Sequence, residues 1–191
     1  MASEEYDEIE QLAQKAKLGD RAAFSRIVRI MMSRIVSLTY RMTSDRESAL
    51  DLAQDSFVAA WEQLAGFRGE SRFSSWLFQI ATNKCLNFLK KASTRQNVPL
   101  DDTTSATLTS GDPAANPERT LKIKLLKEDV LHFMQSLPDM QRLVFELRFY
   151  QGMPFSEIAR QTGKAEGTVK THYRQAVIKL REVATAKGWA P

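Results

Sequence analysis

The chain has 191 residues, 43% of them hydrophobic and 26% charged, with a formal net charge of +4, a soluble globular composition long enough for two small domains or one medium one. One cysteine, Cys85, excludes an internal disulfide and fits a reducing compartment, and with only His132 and His172 beside it no structural zinc site can assemble. No apolar run reaches the length of a membrane span and the N-terminus is acidic, so neither a spanning helix nor a signal peptide is expected and the cytoplasm is the default.

Residues 4–18 place Ile9, Leu12, Ala13 and Ala16 on one side of a helix, and Gly19-Asp20 ends it and caps the next. That second helix runs from about Arg21 to Met42 on Phe24, Ile27, Val28, Met31, Ile35, Leu38 and Met42. Ser44 with Glu47 has capping-box form and opens a third helix through Leu64. Its inner side reads Leu50, Ala53, Phe57, Ala60, Trp61 and Leu64, and its outer side Asp51, Gln54 and Asp55. Ala65 to Arg72 holds two glycines and reads as a loop. A fourth helix then runs from Phe73 or Ser74 to Lys91.

From Ser93 to Glu118 the composition shifts to Ser, Thr, Asp, Asn, Ala and Pro without helical period, which predicts a flexible linker. It divides the chain into a domain over 1–92 and another over 119–187. Helices return at Leu121–Leu137 and Pro138–Tyr150, with Pro138 in the first turn and Gly152 as terminator. In the stretch Pro154–Lys187, Phe155, Ile158 and Ala159 form a short apolar face, Gly163 breaks the helix, and another opens at Glu166-Gly167-Thr168. Along it Val169, Tyr173, Ala176, Leu180 and Val183 share one side, while Lys170, Thr171, Arg174, Gln175 and Lys179 share the other. No strand pattern occurs. The fold class is therefore all-α: two small helical domains joined by a flexible linker, the C-terminal one with a helix-turn-helix.

Charge is unevenly spread. Residues 20–95 and 121–191 each carry 12 basic and 7 acidic side chains, while residues 1–19 and 96–120 are each net acidic. Two basic blocks separated by an acidic one suggest two modules on one polyanion. A helix-turn-helix whose second helix shows cations and amides can enter the DNA major groove, where such side chains reach phosphates and base edges. The plainer reading is a solvated face, but a solvated face would mix Lys with Glu. In the first domain the stretch GFRGESRFSSWLFQIATNKCLNFLKK, Gly66 to Lys91, interleaves Phe67, Phe73, Trp76 and Phe78 with Arg68, Arg72, Lys84, Lys90, Lys91, Asn83 and Asn87. Aromatic faces with cations and amides suit unstacked single-stranded nucleic acid. Trp76 belongs to an apolar stripe and is assigned to the core. Phe67, on a glycine-flanked loop, and Asn83, Lys84 and Asn87, one turn apart, are the candidate contacts. Nothing has the spacing of a nucleophile with its base, a paired-carboxylate site, a metal site or a phosphate loop, so no enzyme, cofactor, metal or small-molecule substrate is expected. Cys85 reads as a small buried hydrophobe.

Two long stretches carry a family resemblance: DLAQDSFVAAWEQLAGFRGESRFSSWLFQIATNKCLNFLKK (Asp51 to Lys91) and LPDMQRLVFELRFYQGMPFSEIARQTGKAEGTVKTHYRQAVIKLR (Leu137 to Arg181). They resemble regions two and four of bacterial sigma factors of the extracytoplasmic-function (ECF) group of the sigma-70 family, in that order. The resemblance implies a promoter-specificity subunit that binds core RNA polymerase, reads −35 and −10 promoter elements, helps melt the DNA, and is held in check by an anti-sigma factor. It implies core-polymerase contacts at Asp51, Gln54 and Asp55, which the residues alone would leave as a solvated face. It implies −10 contacts at Phe67, Arg68, Asn83, Lys84 and Asn87, where a pocket for an extruded base offsets part of the lost stacking. It implies −35 base reading by Lys170, Thr171, Arg174 and Gln175, with Arg148, Thr168 and His172 on phosphates; His172 reads equally well as an ordinary surface residue. Ala165 departs from the family pattern by leaving the reading helix without a side-chain cap, and Gln79 is neutral where many members carry a base. Two other readings remain. A ligand-sensing helix-turn-helix regulator would bind duplex DNA without polymerase. A decoy that only sequesters an anti-sigma factor would lack the basic reading face, which Lys170, Arg174 and Lys179 supply.

Overall fold

A computed structural model describes residues 2–95 and 117–189, with side chains over 6–91 and 125–189. The expectation of a flexible linker over 93–118 therefore falls mostly outside the described residues, although helices reach Arg95 on one side and begin at Pro117 on the other. The chain divides into two compact units, residues 1–99 and 100–191. Every element among the described residues is helical, as the all-α expectation requires.

The first unit holds α1 (Ala2–Lys17), α2 (Arg21–Thr43), α3 (Arg46–Gln63) followed by one 3-10 turn (Leu64–Gly66), and α4 (Phe73–Arg95). Helix α2 packs against each of the other three. Its stripe of Phe24, Ile27, Met31, Ile35, Leu38 and Met42 is buried. Ile9, Ala13 and Ala16 of α1, Ala53, Phe57 and Ala60 of α3, and Phe73, Leu77, Ala81 and Cys85 of α4 complete this core. Each large side chain so buried contributes about 1.5–3 kcal/mol of transfer free energy. The buried Thr39 hydroxyl donates to the Ala49 carbonyl at 2.8 Å and ties α2 to α3.

Two expectations at this junction need correction. Ser44 does not cap α3: it closes α2 in the left-handed conformation, φ 61°, with its N–H donating to the Tyr40 carbonyl. The cap is Asp45, whose Oδ2 accepts the Ser48 N–H at 2.8 Å; the Ser48 hydroxyl first, and then this N–H, hold the carboxyl below the ordinary aspartate value. Leu50 is not core but 38% exposed, at the edge of the buried stripe that Ala49, Ala53, Phe57 and Ala60 make along α3. Trp61 is half-buried, its ring 5.0 Å from Phe24.

The second unit holds α5 (Pro117–Ser136), α6 (Asp139–Phe145) running into a π-helical turn (Glu146–Tyr150), α7 (Phe155–Thr162) and α8 (Glu166–Ala186). Pro138 sits at the N-cap of α6, one residue ahead of its expected place in the first turn. Phe133, Met134, Leu137, Phe145 and Ala176 form the core, with Val130, Tyr173, Val177, Leu180 and Val183 packed on it. Arg142 is buried beneath α5. Its Nε donates to the Met134 carbonyl at 2.8 Å and its Nη2 to those of Gln135 and Leu137 at 3.1 and 3.2 Å, so it ties together the C-terminal end of α5 and the turn after it. Burial pushes this guanidinium below its ordinary value and Asp139 pulls it back, but an arginine stays charged there.

Candidate nucleic-acid interface

Helix α8 owes its position to the turn before it. Gly163 ends α7 at φ 64°, a conformation that costs a side-chain-bearing residue strain, and the chain re-enters helix after Ala165, which supplies no side-chain cap. Val169 and Ala176 face inward and are fully buried, and Phe155 of α7 meets Tyr173 of α8 edge-on at 5.4 Å. The opposite side presents Thr168, Lys170, Thr171, Arg174 and Gln175, all exposed. Lys170 Nζ lies 2.7 Å from Glu166 Oε1 one turn back, and the Thr171 hydroxyl donates to the Gly167 carbonyl at 2.9 Å. Gln175 Oε1 accepts from Gln141 Nε2 at 2.9 Å, a bond that leaves the Gln175 NH2 to donate elsewhere.

Two members of the expected −35 set stand apart from this row. Arg148 is half-buried, with its Nη1 donating to the Met153 carbonyl at 3.2 Å and its guanidinium 5.0 Å over the Phe155 ring. It staples the turn ahead of α7, and only its remaining N–H groups could reach a phosphate. His172 is also half-buried, with Nδ1 sealed from solvent.

In the first unit, Asn83 and Asn87 are exposed one turn apart on α4, with half-buried Lys84 beside them. Lys84 Nζ reaches across to Asp55 Oδ2 of α3 at 3.8 Å, so a residue expected to touch DNA and one expected to touch polymerase meet at a helix junction. Asp51, Gln54 and Asp55 form one exposed face of α3, flanked by the exposed apolar side chains of Leu50 and Val58. Helical period alone puts Leu50 inward, so this apolar flank is not visible in the sequence.

The loop is where the expectation fails most clearly. Phe67 is not available for stacking on a base: it is 4% exposed, 5.6 Å from the Phe73 ring and 5.1 Å from the Trp76 ring. The glycines flank a loop whose aromatic member turns inward because two rings of α4 wait for it. Arg68 does project, with Glu70 3.9 Å away. Glu10 and Lys17 also reach this loop from α1. Their partners lie 63 and 50 residues on, and no local signal marks them.

Residues 27–95 match the family described as Sigma-70 region 2, and residues 127–180 match Sigma-70, region 4. The RNA polymerase sigma-H factor of Pseudomonas aeruginosa is 32% identical over 182 residues, 92% of each chain. The ECF RNA polymerase sigma-E factor of Escherichia coli K12 is 29% identical over 180 residues, again 92% of each. In fold the chain resembles CnrH, solved in complex with the cytosolic domain of CnrY, with a TM-score of 0.68, 23% identity, and coverage of 94% of this chain and 99% of that one. It also resembles the sigma factor RpoE from Bartonella quintana, solved with the anti-sigma factor NepR, with a TM-score of 0.67, 20% identity, and coverage of 85% and 96%. The exposed faces of α3, α4 and α8 thus sit within two sigma-70 regions in their proper order, and the chain belongs to the sigma-70 family of RNA polymerase sigma factors, in its ECF group.

Proposed function

We propose that this sigma factor docks on core RNA polymerase through Asp51, Gln54 and Asp55 of α3, captures the −10 strand with Arg68, Asn83, Lys84 and Asn87, and reads the −35 duplex with Lys170, Thr171, Arg174 and Gln175. Thr168 and the outer N–H groups of Arg148 serve phosphates. The carrying observation is the division of α8, whose cations and amides are exposed on one side while Val169 and Ala176 on the other are wholly buried. Such a helix can lie in a groove without loosening its own domain. The chain supplies specificity and opening, and phosphodiester chemistry stays with the polymerase it joins in the cytoplasm.

Run-off transcription with core polymerase on a promoter library tests this reading. Arg174→Ala is expected to weaken −35 recognition by about 1–3 kcal/mol where the guanidinium grips a base edge. Asn83→Ala is expected to impair opening and leave core binding intact. An Asn83→Ala chain that no longer co-purifies with core polymerase would sink its assignment. Solved structures similar in fold hold CnrH with CnrY and RpoE with NepR, which supports an anti-sigma partner for this chain too. Such a partner should displace the chain from core polymerase in a competition assay.

A further inference from the structure

The loop from Phe67 to Phe73 is held at both ends by α1, a helix outside the segment that matches region 2, residues 27–95. Lys17 Nζ donates to the Phe67 carbonyl at 2.7 Å, and Glu10 Oε1 accepts from the Phe73 N–H at 2.6 Å. Beside them the Arg72 guanidinium lies 5.0 Å over the Tyr6 ring. Tyr6, Glu10 and Lys17 recur at intervals of four and seven, so one side of α1 meets the loop. Ile9, Ala13 and Ala16, all buried, fix that helix to the core.

The Glu10 bond answers a specific need. Arg72 stands at the N-cap position of α4: its carbonyl accepts from the Trp76 N–H at 3.1 Å, but its side chain has no acceptor for the helix's open N–H groups. A carboxylate from α1 takes over that part and faces the positive end of the helix. Both clamps use a charged partner, the shorter and stronger kind of hydrogen bond. Buried Phe67 forms the floor of the loop, and the exposed Arg68 and Glu70 project from between the pinned ends.

We propose that α1 is the brace of the −10 loop, and that Glu10 and Lys17 are positioning residues for promoter capture. This rests on the reading that the loop and α4 meet the −10 strand. By fixing Phe67 and Phe73 they set where Arg68 stands relative to Asn83 and Asn87. Alanine at 10 removes the acceptor whereas glutamine keeps it, and methionine at 17 removes the donor whereas arginine keeps it.

The test measures holoenzyme binding to the single-stranded non-template −10 segment of a promoter it transcribes, together with open-complex yield. Core affinity and the helical circular dichroism of each chain are followed in parallel, well below melting. Glu10→Ala and Lys17→Met are expected to lower affinity for the oligonucleotide at least about threefold, while Lys17→Arg stays near the unaltered chain and Glu10→Gln, which keeps the acceptor without its charge, loses less than Glu10→Ala. Core affinity is expected to hold in all four. Unchanged oligonucleotide binding by Glu10→Ala and Lys17→Met overturns the brace, as does a loss that merely tracks falling core affinity or helicity. Asn83→Ala separates the two levels. If it lowers oligonucleotide binding while the α1 variants do not, the brace alone is wrong. If it too has no effect, the −10 reading fails and the brace with it.

Discussion

Asp45 opens α3 through one carboxylate: its Oδ2 accepts the Ser48 N–H, while Ser44 beside it turns left-handed to close α2. Asp45→Ala is expected to cost about 0.5–2 kcal/mol, read as a lower midpoint in thermal or urea unfolding. The folded-state pKa is depressed, so this contribution is present above the unfolded aspartate value and is lost as pH falls through the folded one. The gap between the two chains should therefore be full near neutrality and close in acid; a gap that persists there would mean the carboxylate is not its source. Ser44 with Glu47 looks like a capping box in sequence because either residue of the Ser44-Asp45 pair can cap, and only the backbone conformation at Ser44 decides between them. Phe67 was illegible for a similar reason. Its neighbours in sequence say loop, but Phe73 and Trp76, one helix on, supply the surface that buries it. The outward row of α8 was legible residue by residue, because helical period alone sorts Lys170, Thr171 and Arg174 from Val169, Tyr173 and Ala176.

At the scale of the element, the turn between α7 and α8 decides how the exposed row of α8 is presented. Gly163 holds φ 64°, and a Cβ there would meet nothing within 4 Å, so any penalty for a side chain is conformational rather than steric crowding. Gly163→Ala is expected to destabilise the second unit by about 1–2 kcal/mol, and Gly163→Asn by less, since asparagine tolerates this conformation. Calorimetry checks the order. Equal melting of the alanine and glycine chains would show that the turn adapts. Helix bounds were readable to within a few residues where an apolar stripe ran between a capping residue and a stop, as in α2. The π turn over Glu146–Tyr150 was not, because it preserves the apolar order of a helix and changes only which carbonyl each N–H meets. In that turn Glu146 and Leu147 are buried while Phe149 and Tyr150 stand out from the surface.

On the scale of the molecule, the two units have separate cores: one is built on α2, the other on Phe133, Met134, Leu137, Phe145 and Ala176. A chain cut between Arg95 and Pro117 should therefore give two fragments that each melt cooperatively, followed by far-ultraviolet circular dichroism. A fragment that is unfolded alone would show that its core is incomplete without the other. Folding apart does not mean working apart. Once one unit has engaged its share of a promoter complex, the covalent link makes the second contact intramolecular, with an effective concentration that can reach about millimolar. Mixed fragments at micromolar concentration forgo that factor, about a hundredfold or more, and promoter-specific initiation from the mixture is expected to fall accordingly. Raising the concentration of the 117–191 fragment should recover activity, because what was lost is local concentration and no contact has been removed. If the mixture starts transcription as well as the intact chain at low concentration, the link contributes nothing to affinity and the two units act independently on the promoter.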